Sequence, residues 1–88
     1  MLRLRVLYCD EYYGLTIKWW IEEYRWLIEK EVCGPVKLNV EKLPEDACRS
    51  SPYPVYLEVD GEIVIEGLPG EEGYLVETLK SLATCREG

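Results

Sequence analysis

Hydrophobic and polar residues alternate along four short segments of the chain. They cover residues 3–9, 36–40, 55–59 and 62–66. Alternation with a period of two is typical of a β-strand that buries one of its faces. Asp60 and Gly61 separate the last two segments and favour a tight hairpin turn. The pattern therefore predicts four strands, the last two joined as a hairpin.

Two other segments have the period of an amphipathic helix. Apolar residues recur every three or four positions from Leu15 to about residue 33, and again over residues 74–83. Residues 10–14 are interpreted as a turn, and residues 41–53 as a loop rich in Pro, Asp and Ser. Gly34 and Pro35 are expected to end the first helix, because Gly suits a C-cap and Pro cannot continue the helix.

The alternation also predicts that only one face of the sheet is covered. A sheet with helices on both faces has continuous apolar strands, whereas these strands alternate. The side chains expected to face the helices are Leu4, Val6, Leu38, Val40, Val55, Leu57, Ile63 and Ile65. Those expected on the open face are Arg3, Arg5, Lys37, Asn39, Tyr56, Glu58, Glu62 and Glu66, with opposite charges paired across it. The sequence predicts a two-layer α/β fold with a four-stranded mixed sheet and both helices on one face.

Length and charge narrow the classes of function. The 88 residues are expected to form a single domain, residues 1–88, with a small core. A net charge of −7 without a basic stripe argues against nucleic acid as a partner. No stretch approaches the roughly 20 apolar residues that a membrane span needs. The alternating start does not resemble a signal peptide, which favours a cytoplasmic location.

The sequence has no His, one Met, and many Glu, Lys and Arg residues. This bias resembles that of proteins working at high temperature, which suggests a thermophilic source. Intracellular disulfides are a recognised feature of hyperthermophile proteins. The four cysteines are therefore compatible with disulfides in the cytoplasm.

The chain resembles the thioredoxin superfamily over nearly its whole length. Two segments carry this resemblance. Pro54, at the start of the third strand, matches the family's cis-proline, and Tyr53-Pro54 is the expected cis bond. Cys9, between the first strand and the first helix, matches the first cysteine of the redox motif. The length and element order are closest to small selenoprotein-W-like and glutaredoxin-like proteins. Tyr12 stands where that motif has its second Cys or selenocysteine.

The resemblance implies a β-α-β-β-β-α core and selects one disulfide pairing. Four cysteines allow three pairings. In a thioredoxin-like core Cys9 and Cys48 lie at one end of the sheet, and Cys33 and Cys85 at the other. Disulfides require nearby Cα atoms, so the resemblance implies the pairs Cys9–Cys48 and Cys33–Cys85. The second pair is interpreted as a structural staple.

Cys9 has two interpretations. It is either a structural half-cystine or a thiol activated by the N-terminus of the first helix, and the adjacent carboxylates of Asp10 and Glu11 oppose activation. Tyr12 and Tyr13 are candidates to line a binding groove with Pro54, the alternative being that they cap the core. Trp19 and Trp26 lie one heptad apart on the outer face of the first helix and suggest an interface.

Two functional hypotheses follow. The first is thiol–disulfide redox chemistry through Cys9 and Cys48, as the thioredoxin resemblance implies. The second is a non-catalytic binding or scaffold module that associates with a protein partner or with itself through Trp19 and Trp26. The sequence contains no metal-ligand cluster, no phosphate-binding loop and no nucleophile–His pair. No metal or cofactor is therefore expected.

Overall fold

The computed structural model describes residues 2–82 of the chain. Within this range the protein is an α/β domain, as predicted, with four strands and four helices. In chain order the elements are β1 (Leu2–Tyr8), α1 (Glu11–Glu23), α2 (Arg25–Val32), β2 (Val36–Lys42), α3 (Glu45–Ser50), β3 (Val55–Val59), β4 (Glu62–Glu66) and α4 (Glu72–Leu82).

The strands form one mixed sheet in the order β2-β1-β3-β4. The central strand β1 runs parallel to β2 and antiparallel to β3, and β3 forms an antiparallel hairpin with β4. Tyr8 at the end of β1 lies opposite Lys42 on one side and Val55 on the other. The ends of β1 and β2 and the start of β3 therefore meet at the same end of the sheet.

The core lies on one face of this sheet, as the alternation predicts. The inward side chains of the strands form a single cluster with Ile17 and Ile21 of α1, Ile28 of α2, and Leu75 and Leu79 of α4. These five helical side chains are almost completely buried. Each contributes roughly 1.5–3 kcal/mol through removal of its apolar surface from water. The three longer helices therefore cover the same face.

Arg5 connects three strands on the open face. Its Nη2 atom donates to Glu41 Oε2 of β2 at 2.7 Å, and its Nη1 atom donates to Glu58 Oε1 of β3 at 2.9 Å. These hydrogen bonds raise the pKa of Arg5 above its ordinary value, and the bond to Glu41 has the larger effect. The predicted pairing of opposite charges across the open face is confirmed for these residues.

Ile63 does not face the helices, so its predicted orientation is wrong. A β-bulge interrupts the β3–β4 ladder next to Leu57 and Glu58. Leu57 lies opposite Ile65, but Glu58 lies opposite Ile63, because Val64 is the extra residue on β4. The extra residue reverses the alternation beyond it. Val64 consequently packs against the core while Ile63 is 49% exposed.

The first helical segment consists of two helices. Tyr24 separates α1 from α2 with φ −101° and ψ 13°. Helical hydrogen bonding continues across it, from Tyr24 N–H to Trp20 O and from Ile28 N–H to Tyr24 O. The Tyr24 hydroxyl donates to Glu72 at the start of α4, and this bond is the main reason that the pKa of Tyr24 is raised. The junction is thereby attached to α4.

Two loop predictions also need correction. The predicted loop 41–53 contains the end of β2 and the short helix α3, whose residues all remain at least partly exposed. Since α3 buries no apolar face, the sequence carries no helical periodicity there. At the end of α2, Cys33 rather than Gly34 occupies the left-handed C-cap conformation, with φ 57° and ψ 39°.

Candidate functional site

Cys9 and Cys48 form a disulfide at the end of the sheet where β1 and β2 finish. Their Cα atoms are 5.6 Å apart, and 39 positions separate them in the sequence. Both residues are half-buried. The pairing that the family resemblance implies for these two cysteines is confirmed.

Parallel pairing of β1 with β2 brings the two cysteines together. The carboxyl ends of parallel strands lie at the same edge of a sheet. Leu43, directly after β2, donates its N–H to Tyr8 O at 2.8 Å, which holds the chain beside the end of β1. Pro44 then caps α3, and Cys48 N–H donates to Pro44 O at 3.0 Å. This path places Cys48 next to Cys9.

Asp10 begins α1 four residues earlier than predicted. Its Oδ1 atom accepts a hydrogen bond from Tyr12 N–H at 2.9 Å, so Asp10 is the N-cap and residues 11–14 are helical. Asp is among the best N-cap residues, and Glu11 in the first turn favours the helix dipole. Cys9 immediately precedes this cap. The carboxylate of Asp10 occupies the positive end of the helix that would otherwise stabilise a Cys9 thiolate.

Pro54 lies directly beside Cys9. Its carbonyl oxygen accepts from Cys9 N–H at 2.8 Å and from Asp10 N–H at 3.3 Å. The described residues contain no cis peptide bond, so the expected cis bond between Tyr53 and Pro54 is wrong. The Pro54 carbonyl extends the hydrogen bonding between β1 and β3 by one residue beyond the Tyr8–Val55 pair.

Tyr12 and Tyr13 point to different environments. Tyr12 is 70% exposed, whereas Tyr13 is partly buried and packs against the core. Their rings make an edge-to-face contact with centroids 5.4 Å apart. Tyr13 therefore has the core-capping role that the sequence left as an alternative, and Tyr12 remains exposed on the first turn of α1.

The segment that carries Cys48 is attached mainly at its two ends. None of the α3 side chains is buried. After α3, the Ser51 hydroxyl forms a hydrogen bond with the Tyr56 hydroxyl, and the Tyr53 ring makes an edge-to-face contact with the Tyr56 ring. The same Tyr53 ring packs against Gly67, whose φ of 83° favours glycine. Between these anchors, the disulfide is the covalent attachment of α3 to the domain.

The other predicted residues that the structure describes lie away from this site. Cys33 is exposed at the end of α2, and Cys85 lies outside the described residues, so the second disulfide stays a prediction. Trp19 and Trp26 are 62% and 66% exposed, which confirms that they lie on the outer face of the first helical segment.

A surface pocket lies elsewhere, on the open face of the sheet. It measures about 480 Å³ and is lined by Arg3, Arg5, Glu58, Asp60 and Gly61, at the opposite end of β1 from Cys9. Arg5 is already neutralised by two carboxylates, and Asp60 accepts from Arg3 N–H at 3.1 Å. The mixed charge of this lining does not select a ligand, and we assign it no function.

The described residues carry neither a metal cluster nor a membrane span. No group of three or more His, Cys, Asp or Glu residues in this part of the chain is arranged to hold a metal ion. No helix within residues 2–82 is long and apolar enough to cross a bilayer. Comparisons with protein-family models, with curated proteins and with solved structures find no match for this chain.

Gly14 is a residue of this region whose role the sequence did not reveal. It is buried within α1, and a Cβ atom placed on it would lie 2.6–2.9 Å from the Cγ, Cδ1 and Cβ atoms of Tyr8. The helix therefore approaches β1 so closely that only glycine fits there. The sequence did not indicate this contact, because residues 10–14 were interpreted as a turn and glycine is common in turns.

Gly14→Ala is expected to destabilise the protein by about 1–3 kcal/mol. Alanine favours a helix by up to about 1 kcal/mol over glycine, so the sign of the change distinguishes steric overlap from propensity. Gly73→Ala in α4 is the control, because its nearest atom is a Glu71 carboxylate oxygen at 3.7 Å. Urea unfolding of both variants measures the difference. Equal stabilisation by the two substitutions would contradict the Gly14–Tyr8 contact.

Proposed function

We propose that this chain is a small thioredoxin-like protein that exchanges thiols and disulfides through Cys9 and Cys48. The observation that carries the proposal is the Cys9–Cys48 disulfide at the junction of β1 with α1, beside Pro54. Both cysteines are only half-buried, and access to the disulfide is one of the factors that govern exchange. The weak attachment of α3 permits the two sulfurs to separate once the bond is broken.

The reaction would proceed by two thiol–disulfide exchanges. A substrate thiolate attacks the Cys48 sulfur, a mixed disulfide forms, and Cys9 leaves as a thiolate next to the Asp10 cap of α1. A second substrate thiolate then attacks the substrate sulfur of the mixed disulfide and releases Cys48. The two substrate thiols are oxidised to a disulfide, and the protein disulfide is reduced to two thiols. Each exchange is reversible, so the reduced protein run in the opposite direction acts as a disulfide reductase. Asp10 and Glu11 limit the stabilisation of the Cys9 thiolate.

The 39-residue separation distinguishes this pair from a Cys-x-x-Cys motif. Tyr12 occupies the position of the second cysteine in that motif, so the redox partner of Cys9 comes from the segment after β2. Oxidation would therefore attach α3 to the domain and reduction would release it. Nucleic acid is not among the proposed partners, because the net charge of −7 would repel the phosphate backbone.

Equilibration against glutathione redox buffers tests the proposal. We expect the Cys9–Cys48 bond to equilibrate within the range of cellular thiol buffers, roughly −180 to −320 mV, as measured by mass-spectrometric trapping of each cysteine. Cys9→Ser should abolish disulfide-reductase activity while preserving the circular dichroism spectrum. Cys33→Ser is the matched control and should retain that activity. A Cys9–Cys48 bond that resists reduction throughout this range would make the pair structural.

The second candidate function is a binding or scaffold module that uses the Trp19 and Trp26 face. Its support is the exposure of both indoles one heptad apart, because tryptophan is enriched at protein interfaces and large exposed aromatic side chains are uncommon. The occupant would be a protein partner or a second copy of the chain.

If the Trp19 and Trp26 face mediates self-association, Trp19→Glu and Trp26→Glu should yield a lighter species than the parent in sedimentation experiments at high protein concentration. A charge at either position would oppose burial in an interface. Tyr74→Glu is the control, since Tyr74 is also exposed, at 58%, but lies on α4. Identical sedimentation of the parent and both tryptophan variants would rule out self-association through this face.

A further inference from the structure

The outer edge of β2 is only partly protected. Within residues 2–82, β2 has β1 as its one neighbour in the sheet. Pro35 O accepts from Leu2 N–H and Leu43 N–H donates to Tyr8 O, so the backbone groups of the odd-numbered residues face β1. Alternation then directs the groups of Val36, Leu38, Val40 and Lys42 away from the sheet.

An ion pair on α2 covers the first of these outward positions. Val36 N–H donates to Glu29 Oε2 at 2.9 Å, and the Arg25 guanidinium donates to Val36 O. Arg25 and Glu29 are themselves within 3.6 Å. No hydrogen bond from the described residues reaches the outward groups of Leu38 and Val40. The unpaired edge is thus confined to the middle and end of β2.

The side chains of this edge have opposite charges at symmetric positions. Lys37, Asn39 and Glu41 lie on the open face and are exposed, whereas Leu38 and Val40 are half-buried against the core. Lys37 makes no ion pair within the described part of the chain, and Glu41 uses only Oε2 toward Arg5. Lys37 and Glu41 are equally distant in sequence from Asn39.

We propose that β2 pairs with β2 of a second copy of this chain, antiparallel about a two-fold axis at Asn39. In this register Lys37 lies opposite the partner's Glu41, and Leu38 lies opposite the partner's Val40. Leu38 and the partner's Val40 form a hydrogen-bonded pair through their outward backbone groups. Lys37 and the partner's Glu41 form a non-hydrogen-bonded pair, in which side chains are closest. Both contacts occur twice in the dimer.

Charge selects this register over its neighbours. A two-residue shift would place Lys37 opposite Asn39 or Leu43 of the other strand, and the ion pair would be lost. Lysine at a sheet edge ordinarily discourages pairing with another strand. Here the lysine meets a carboxylate in one register only. The association is expected to be weak, because the contact is short and each copy carries a net charge of −7.

Engineered cross-linking tests the register directly. Asn39→Cys should form a disulfide-linked dimer under mild oxidation, because directly opposite residues of a non-hydrogen-bonded pair have Cα atoms about 4.5 Å apart. Lys37→Cys is the matched control and should not cross-link, because its two copies would be separated by roughly 14 Å along and across the strands. Cross-linking by both variants to the same extent, or by neither, would overturn the proposal.

Sedimentation equilibrium provides the second arm. The parent protein should dimerise reversibly, and Lys37→Glu should weaken the dimer about tenfold by placing like charges opposite each other twice. The dimer should persist in Trp19→Glu. A parent that stays monomeric at millimolar concentration, or a dimer lost in Trp19→Glu and kept in Lys37→Glu, would overturn the proposal. Neither result bears on the redox function of Cys9.

Discussion

The position of β1, buried on one face and charged on the other, is the constraint on which the structure depends. Leu4 and Val6 are completely buried beneath the helices, while Arg5 between them holds Glu41 and Glu58 on neighbouring strands. A shift of one residue in register would bury Arg5 and expose both apolar side chains. The pairing of β1 with β2 and β3 is therefore fixed, and with it the end of the sheet where Cys9 lies.

The candidate site follows from this fixed pairing. The end of β1 delivers Cys9, the end of β2 leads to Cys48, and the start of β3 brings the Pro54 carbonyl to Cys9 N–H. The disulfide itself lies outside the apolar core, and α3 adds no buried side chain to that core. Site and core are thus joined at β1 but are stabilised by different interactions.

Elements with a buried face could be predicted from the sequence. The four strands and the segments of α1, α2 and α4 carry periodic apolar residues, and the prediction of a single covered face followed from them. Features that depend on a local hydrogen bond or a single close contact have no such periodic pattern in the sequence, and they were not predicted. The Asp10 cap moved the start of α1, the extra residue Val64 reversed the orientation of Ile63, and Gly14 is required by a single contact with Tyr8. The helix α3 was missed because it buries nothing.

Of the candidate site, the pairing of its two cysteines could be predicted. The resemblance to the thioredoxin superfamily implied the Cys9–Cys48 pair, and parallel pairing of β1 with β2 provides the physical reason for it. The cis bond expected before Pro54 rested on the resemblance alone, and the described residues contain no cis peptide bond.

The proposed redox function requires that the Cys9–Cys48 bond open while the rest of the domain stays folded. In the chain-entropy model a closure of this length stabilises a protein by about 4 kcal/mol, so its loss is substantial for a small domain. Hydrogen exchange of the oxidised and reduced proteins, resolved by residue, measures the consequence. We expect reduction to remove the protection of the α3 amides while β1 and β3 keep theirs. Equal loss of protection in the sheet and in α3, or unchanged protection of α3, would contradict the claim.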